Sequence, residues 1–210
     1  MRKSQFLFAI VGLLLLNACE HASDDPVSSP DYYQLKTGNY WVYELQRIDN
    51  DTITVMLPDN DSVYIEKDTL INNIKYSKYS GTNLYGNSHP YPYAYFLRDS
   101  IGYLVDSYGK VFFSADNTRD TLYAYTVADV VRIAYKMDLG DSLISVPRGP
   151  YNCLFSRCTI KALKPYFPYK TRTQGDFRAD GIGMIMSTHV NAAEANVRFK
   201  RSLLRCSVTH

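Results

Sequence analysis

Glutamate, tryptophan and histidine are scarce in this chain of 210 residues, which contains four glutamates, one tryptophan and four histidines. No histidine lies two or four positions from another, so the usual zinc-binding pair is missing. The glycines at positions 181 and 183 are not followed by a predicted helix, which a dinucleotide-binding fingerprint requires. From these absences we expect no metal, no cofactor and no catalytic site.

The chain also lacks an apolar run long enough to cross a membrane as a helix. Its longest run, Phe6 to Leu16, has eleven residues, whereas a spanning helix needs about 20. Arg2 and Lys3 precede this run, and the combination is typical of a signal peptide. Leu16-Asn17-Ala18-Cys19 resembles a bacterial lipobox. We therefore expect cleavage after residue 18 and acylation of Cys19, for example with palmitate; the alternative is an ordinary secretory peptide with a chance cysteine.

Residues 19–30 contain acidic residues, serines and prolines without apolar periodicity, which predicts a flexible tether. The acidic residues directly after Cys19 resemble the export signal of surface-exposed lipoproteins in Bacteroidota. They are equally compatible with a solvated linker. This pattern predicts an outer-membrane lipoprotein, exposed at the cell surface if the first interpretation holds. Residues 31–210 are enough for a single domain with its own core.

Tyrosine is abundant, with 19 residues, and favours strands over helices. Trp41, Tyr43 and Leu45 alternate with other residues in the pattern of a half-buried strand, and we expect Trp41 to anchor the core. Asn72-Asn73 between two such segments indicates a tight hairpin. Strands are predicted at residues 39–48, 62–70, 74–79, 95–98, 102–105, 111–113, 121–127, 131–137, 153–163, 181–187 and 202–208. About ten short strands at this spacing predict an all-β fold with little helix. We expect an antiparallel meander, curled into a half-barrel or packed as a two-layer sandwich.

Four segments resemble a loose set of β-rich envelope lipoproteins of Bacteroidota whose function is uncharacterised: GNYWVYEL, YFLRDSIGYLV, VPRGPYNCL and DGIGMI. The resemblance covers most of the chain after the tether. It implies a fold type and an envelope location, and it implies no activity. Those proteins often have an aromatic residue before Gly-x-Gly, where this chain has Arg178-Ala179-Asp180.

Three cysteines remain once Cys19 carries lipid, and an oxidising envelope favours disulfides. Cys206 could bridge to Cys153 or to Cys158 if their strands are neighbours. Cys153 and Cys158 are five positions apart, so an unbroken strand would point them to opposite faces and only one could form the bridge. The alternative is three buried thiols.

A tripeptide of aspartate, a hydroxyl residue and an apolar residue occurs six times. Aspartate at the end of a turn followed by a strand explains the pattern structurally. The tripeptide also resembles the O-glycosylation sequon of Bacteroidota envelope proteins. The candidate acceptors are Thr52, Ser62, Thr69, Ser100, Thr121 and Ser142.

Charge is unevenly divided along the chain. Residues 19–130 contain 8 Lys/Arg against 16 Asp/Glu, and residues 131–210 contain 13 against 5. If the basic strands are neighbours, they predict a face that binds an acidic glycan or anionic lipid, although neutralisation by acidic turns is the alternative. Nucleic acid is the wrong partner for this compartment. The candidate anion-binding residues are Lys161, Lys164, Arg172, Arg178, Arg198 and Arg205.

Three functions remain open on the sequence. The first is a non-catalytic lipoprotein whose domain binds an envelope component, such as a glycan or a protein, or has a structural role. The second is a carrier or sensor that holds an apolar ligand inside a half-barrel. The third is a hydrolase without a recognisable motif. A deep cavity favours the second, and a cleft with two facing carboxylates favours the third.

Overall fold

The computed structural model describes residues 30–83, 91–138, 140–166, 170–191, 194 and 196–209. The predicted signal peptide, Cys19 and all of the predicted tether except Pro30 lie outside these ranges. Asp31–His210 forms one compact unit. Within the described ranges there is no helix with the length and apolar character that crossing a membrane requires.

The unit is built from fourteen antiparallel strands, and its described residues contain no helix. The strands are β1 (Tyr40–Asp49), β2 (Ile53–Met56), β3 (Asp61–Ile71), β4 (Ile74–Asn83), β5 (Tyr91–Asp99), β6 (Tyr103–Asp106), β7 (Val111–Ser114), β8 (Thr121–Val127), β9 (Val131–Met137), β10 (Ser142–Val146), β11 (Gly149–Ala162), β12 (Thr171–Ala179), β13 (Gly183–Val190) and β14 (Val197–Ser207).

The sheet is a meander that curls until its two edges meet. Its order is β7-β6-β5-β4-β3-β1-β14-β13-β12-β11-β9-β8, and β2 and β10 pair with β1 and β11 outside this path. The edge strand β7 lies beside β8 and β9. The Ser156 hydroxyl of β11 also donates a hydrogen bond to the Phe112 carbonyl of β7. The predicted all-β fold is confirmed, and the curled sheet is the architecture found.

Local sequence signals explain the best-predicted elements. Asn72 and Asn73 have φ angles of 51° and 61°, the left-handed region that a two-residue hairpin of this hand requires. Ile71 pairs with Ile74 directly across this turn. Thr121–Val127 and Val131–Met137 are strands with the predicted bounds. The asparagine pair therefore fixes the register of β3 against β4, because the pairing starts at the turn.

Three strands were not predicted from the sequence: β2, β10 and β12. Strand β2 has four residues, all exposed, so it shows no alternation between a buried and a solvated side. Strand β12 could not be predicted from the sequence for another reason. Its side chains point inward at every second position, and those at Gln174, Asp176 and Arg178 are polar. The alternation of apolar residues that marks an ordinary strand is therefore missing.

Two apolar clusters form the core. The first includes Trp41, Ile185 and Leu203, which are at most 2% exposed. The second includes Phe113 and Met137, which have no exposed surface. Trp41 is the predicted core anchor, and its indole Nε1 donates a hydrogen bond of 2.7 Å to the Ile182 carbonyl. This bond satisfies the one polar atom that burial of the ring would otherwise leave unpaired.

Candidate functional site

A cavity of about 490 Å³ lies inside the curled sheet. Nine of the fourteen strands or their connecting turns contribute to its wall, from β4 near the start of the domain to β14 at its end. Its size lies within the range of about 300–1,000 Å³ that is typical of small-molecule sites. We call it the interior cavity.

One part of the wall is aromatic. Tyr93 and Tyr95 have ring centroids 5.5 Å apart, and Phe112 and Tyr135 meet edge to face at 5.7 Å. Tyr79 adds a further ring to this wall. Burial raises the pKa of Tyr79, Tyr93 and Tyr135, so all three keep their hydroxyl protons at neutral pH. The wall therefore offers flat apolar faces together with neutral hydroxyl groups.

The neighbouring part of the wall is organised by Arg201 on β14. Its guanidinium makes a 2.7 Å ion pair with Asp61, and both side chains are buried. It also donates to the Ser187 hydroxyl at 2.9 Å and to the Tyr93 hydroxyl at 3.2 Å. The face of Tyr43 lies 5.4 Å from the guanidinium carbon. This network satisfies a charge that would be costly to bury alone.

His189 lies next to this network and lines the cavity. Its Nε2 is 3.2 Å from the Ser187 hydroxyl oxygen. Burial, assisted by the positive charge of Arg201, lowers the pKa of His189 to about 3. The imidazole is therefore neutral at any physiological pH, since protonation would place a second cation beside Arg201 in a desolvated region.

Lys110 enters the cavity between aromatic rings. Its ammonium lies 4.5 Å from the centroid of Phe112 and 4.4 Å from that of Tyr135, in cation–π geometry. Burial lowers the pKa of Lys110. Cys158 lines the same region, and burial raises the pKa of its thiol. The thiol is thus held in its protonated form, which is the less nucleophilic one.

Strand β12 places Asp176 and Arg178, which are two positions apart, in the wall of the cavity. Arg178 is 7% exposed, and its Nη1 donates one hydrogen bond of 3.3 Å to the Tyr32 carbonyl. Its guanidinium carbon lies 5.7 Å from the centroid of Phe113. Neither Asp176 nor Arg178 has an ion-pair partner within the described part of the chain.

Two glycines make room for this wall. A Cβ atom on Gly175 would lie 2.1 Å from the Ser156 carbonyl oxygen of the neighbouring strand β11. A Cβ atom on Gly81 would lie 2.9 Å from the hydroxyl oxygen of Tyr93. The missing side chains therefore set the distance between β11 and β12 and the position of the Tyr93 ring.

The predicted disulfide is not formed. Cys153, Cys158 and Cys206 are free thiols in this structure. Cys206 lies on β14 and the other two on β11, and the sheet places β13 and β12 between those strands. The condition for the bridge, neighbouring strands, is not met. Cys153 and Cys158 are both buried, Cys153 in the first apolar cluster and Cys158 at the cavity, whereas Cys206 is half-buried.

The prediction of one basic face was wrong for two of its residues. Arg172 is buried, and its guanidinium donates to the backbone carbonyls of Asn191 and Val197, so it fixes the chain before β14. Arg178 points into the interior cavity. The cause is the alternation of strand side chains, which sends both of these β12 arginines inward. The four others are exposed: Lys161, Lys164, Arg198 and Arg205.

The six aspartate tripeptides occupy different settings. Thr52, Ser62 and Thr121 are exposed, and Ser100 and Ser142 are half-buried. The Thr69 hydroxyl oxygen is buried, so a glycosyl transferase cannot reach it in the folded protein. The aspartate before Ser62 is Asp61, the buried partner of Arg201, so this tripeptide does not follow the predicted turn chemistry.

Arg178 was predicted from the sequence as an anion-binding residue, but its place in one site with Asp61, Lys110, Asp176 and Arg201 was not. The alternation of polar residues in β12 was the available signal. Among the described residues, no group of three His, Cys, Asp or Glu side chains is close enough to hold a metal ion.

No family model matches the sequence, and no curated protein matches it. Two solved structures share the fold. A presumed lipoprotein of Parabacteroides distasonis has 9% identity and a TM-score of 0.56, over 85% of this chain and 99% of that chain. A presumed exported protein of Bacteroides fragilis with a YmcC-like fold has 10% identity and a TM-score of 0.53, over 85% of this chain and 100% of that chain. At these identities the likeness concerns the fold alone.

Proposed function

We propose that this chain is an outer-membrane lipoprotein, anchored through Cys19, whose domain binds a small molecule in the interior cavity. The anchor rests on the signal peptide and lipobox of the sequence. The shared fold with a presumed lipoprotein and a presumed exported protein supports an envelope location. The binding role is carried by one observation, the cavity of about 490 Å³ with aromatic and charged walls.

The walls favour an amphipathic ligand over a purely apolar one. Lys110, Asp176 and Arg178 all face the cavity, and an alkyl chain would remove water from these charges without replacing its hydrogen bonds. A ligand with a flat apolar part and polar groups would satisfy both kinds of wall. The proposed ligand therefore differs from that of the apolar-carrier alternative.

A binding role also fits the chemistry better than hydrolysis. Among the described residues, Ser187 and His189 make the contact that resembles a nucleophile and its base, yet Ser187 has no exposed surface and already accepts a hydrogen bond from Arg201. A serine nucleophile must reach its substrate. Cys158 does face the cavity, but its raised pKa keeps it as a thiol.

Filling the cavity should abolish binding without unfolding the domain. In the Asp31–His210 unit, Cys158→Trp would place an indole between Lys110 and the facing wall. We expect the fluorescence enhancement of 1-anilinonaphthalene-8-sulfonate, an aromatic anion of suitable size, to fall at least about tenfold. Titration of the dye at constant protein concentration measures this change.

The matched control is Thr159→Trp, which adds the same side chain to the next residue of β11 on the opposite face of the sheet. This variant should bind the dye as the parent does. Far-ultraviolet circular dichroism checks that both variants are folded. If the two variants bind equally, or if the parent does not bind the dye, the cavity is not the binding site.

Replacing Cys19 with serine tests the anchor. The lipid is attached to the cysteine sulfur, so Cys19→Ser should abolish incorporation of labelled palmitate and leave an uncleaved or soluble product. Metabolic labelling and partitioning into Triton X-114 measure these two properties. Cys206→Ser is the control and should be labelled like the parent. Unchanged labelling of the Cys19→Ser variant would contradict the lipobox interpretation.

A further inference from the structure

We infer that the interior cavity binds a zwitterion, a ligand with one carboxylate and one ammonium group such as an α-amino acid, with the carboxylate at Arg178 and the ammonium at Asp176. This inference rests on the proposed binding function and specifies its ligand class. Its basis is two opposite charges that face the cavity without ion-pair partners within the described part of the chain.

Arg178 supplies the anion-binding group. Arg178 is 7% exposed, and its one hydrogen bond to the described residues goes to the neutral carbonyl of Tyr32. A largely buried guanidinium without a counter-ion is unfavourable, because it has lost most of its water and gained only a fraction of its five possible hydrogen bonds. A ligand carboxylate would provide the missing charge and accept a bidentate pair of hydrogen bonds.

Asp176 supplies the cation-binding group. It lies two residues before Arg178 and lines the same cavity, and its carboxylate accepts no hydrogen bond from any described residue. Two residues of a strand span about 7 Å, so the two side chains lie at neighbouring positions on the same inner face. An ammonium group on the ligand would donate to this carboxylate while the ligand carboxylate lies at Arg178.

The other charges of the wall are already engaged. Arg201 is paired with Asp61 at 2.7 Å. Asp106 accepts hydrogen bonds of 2.9 Å from the backbone amides of Tyr108 and Lys110 and so caps a turn. The Lys110 ammonium lies over the rings of Phe112 and Tyr135. Asp176 also attracts the Lys110 ammonium electrostatically, although the two form no ion pair. Asp176 and Arg178 are therefore the two charges of the wall with neither an ion pair, a turn to cap nor two close aromatic rings, and together they are neutral.

A neutral pair selects against ligands with a single net charge. A carboxylate without an ammonium would compensate Arg178 and leave Asp176 without a partner, and an amine without a carboxylate would do the reverse. The first ligand leaves a half-buried carboxylate unpaired and the second leaves a buried guanidinium unpaired, which costs more than an absent contact. The aromatic wall, which includes Tyr79, Tyr93 and Phe112, favours a side chain with a flat apolar face.

Three matched ligands test this inference on the purified mature protein. L-Phenylalanine carries both charges, 3-phenylpropionate lacks the ammonium, and 2-phenylethylamine lacks the carboxylate. Equilibrium dialysis with radiolabelled phenylalanine, and competition by the other two, measures the affinities. We expect phenylalanine to bind at least about tenfold more tightly than either analogue.

The variant Asp176→Asn removes one charge at a half-buried position that makes no hydrogen bond in the described structure. It should weaken phenylalanine binding about 10–100-fold and leave the affinity for 3-phenylpropionate unchanged or higher. Asp129→Asn is the control, since Asp129 is exposed in the turn between β8 and β9 and has a positive φ that asparagine tolerates. It should bind all three ligands as the parent does.

Equal affinities for the three ligands, or an equal loss of both phenylalanine and phenylpropionate binding in Asp176→Asn, would overturn the inference. So would the absence of binding of phenylalanine and the other common amino acids, or binding of a neutral saccharide alone. If the Cys158-dependent dye binding persists in those cases, the proposed binding function survives. If dye binding is absent as well, both fail.

Discussion

Replacing Asp61 with alanine should lower the free energy of unfolding by about 3–5 kcal/mol. The carboxylate is completely buried and pairs with Arg201 at 2.7 Å, and Arg201 is itself buried against the ring of Tyr43. Removing the carboxylate leaves the guanidinium in a desolvated region without its counter-charge. Urea unfolding of the Asp31–His210 unit, followed by circular dichroism, measures the change.

Removing the carboxylate of the buried Asp61–Arg201 pair should lower the free energy of unfolding far more than removing that of an exposed pair. Asp138 pairs with Arg157 at the surface, where the two side chains are 27% and 47% exposed, and Asp138→Ala should cost less than about 1 kcal/mol. The double variant Asp61→Ala with Arg201→Met removes both charges and should regain part of the loss. Equal losses in the two single variants would show that the buried pair contributes no more than a surface pair.

Replacing Gly175 with alanine should cost about 3 kcal/mol or more, at the upper end of the range for a methyl group added to a packed interior. The added Cβ atom would lie 2.1 Å from the Ser156 carbonyl oxygen and 2.7 Å from the ring of Phe155. The carbonyl belongs to the ladder between β11 and β12, so it cannot move without breaking hydrogen bonds. The two strands must separate, and the wall that carries Asp176 must shift with them.

Thr173→Ala is the control for this second variant. Thr173 is exposed on the same strand, and its replacement should change stability by less than about 0.5 kcal/mol. Thermal unfolding of the two variants compares their stabilities, and dye titration tests whether the cavity has changed. A Gly175→Ala variant as stable as Thr173→Ala would mean that β11 and β12 are farther apart than the structure places them.

The fold was predictable where a strand has one apolar face and one solvated face. β1 shows this alternation at Trp41, Tyr43 and Leu45. β12 was missed because its inner residues are polar, and they are polar because they line a cavity. The failure of the apolar pattern in this strand therefore marks the candidate site. A search for alternating charged and polar residues would have found it.

The candidate site itself was predictable only in part. Arg178 was selected for its charge, and the sequence grouped it with Arg172 and Lys161 on one outer face. Strand alternation places the two arginines inside and Lys161 outside. The face that a charge occupies depends on the register of its strand, and β12 contains no turn signal or apolar period that fixes this register from the sequence.

The sequence by itself determined the lipobox prediction, the all-β class and the hairpin at Asn72-Asn73, because each depends on residues that are adjacent in the chain or alternate along one strand. Only the tertiary structure decided the cavity and its charges. Asp61 and Arg201 are 140 residues apart and meet because β14 pairs with β1 and β1 with β3. Whether a buried charge has a partner depends on strands that are distant in sequence, and no local pattern records which strands become neighbours when the sheet closes.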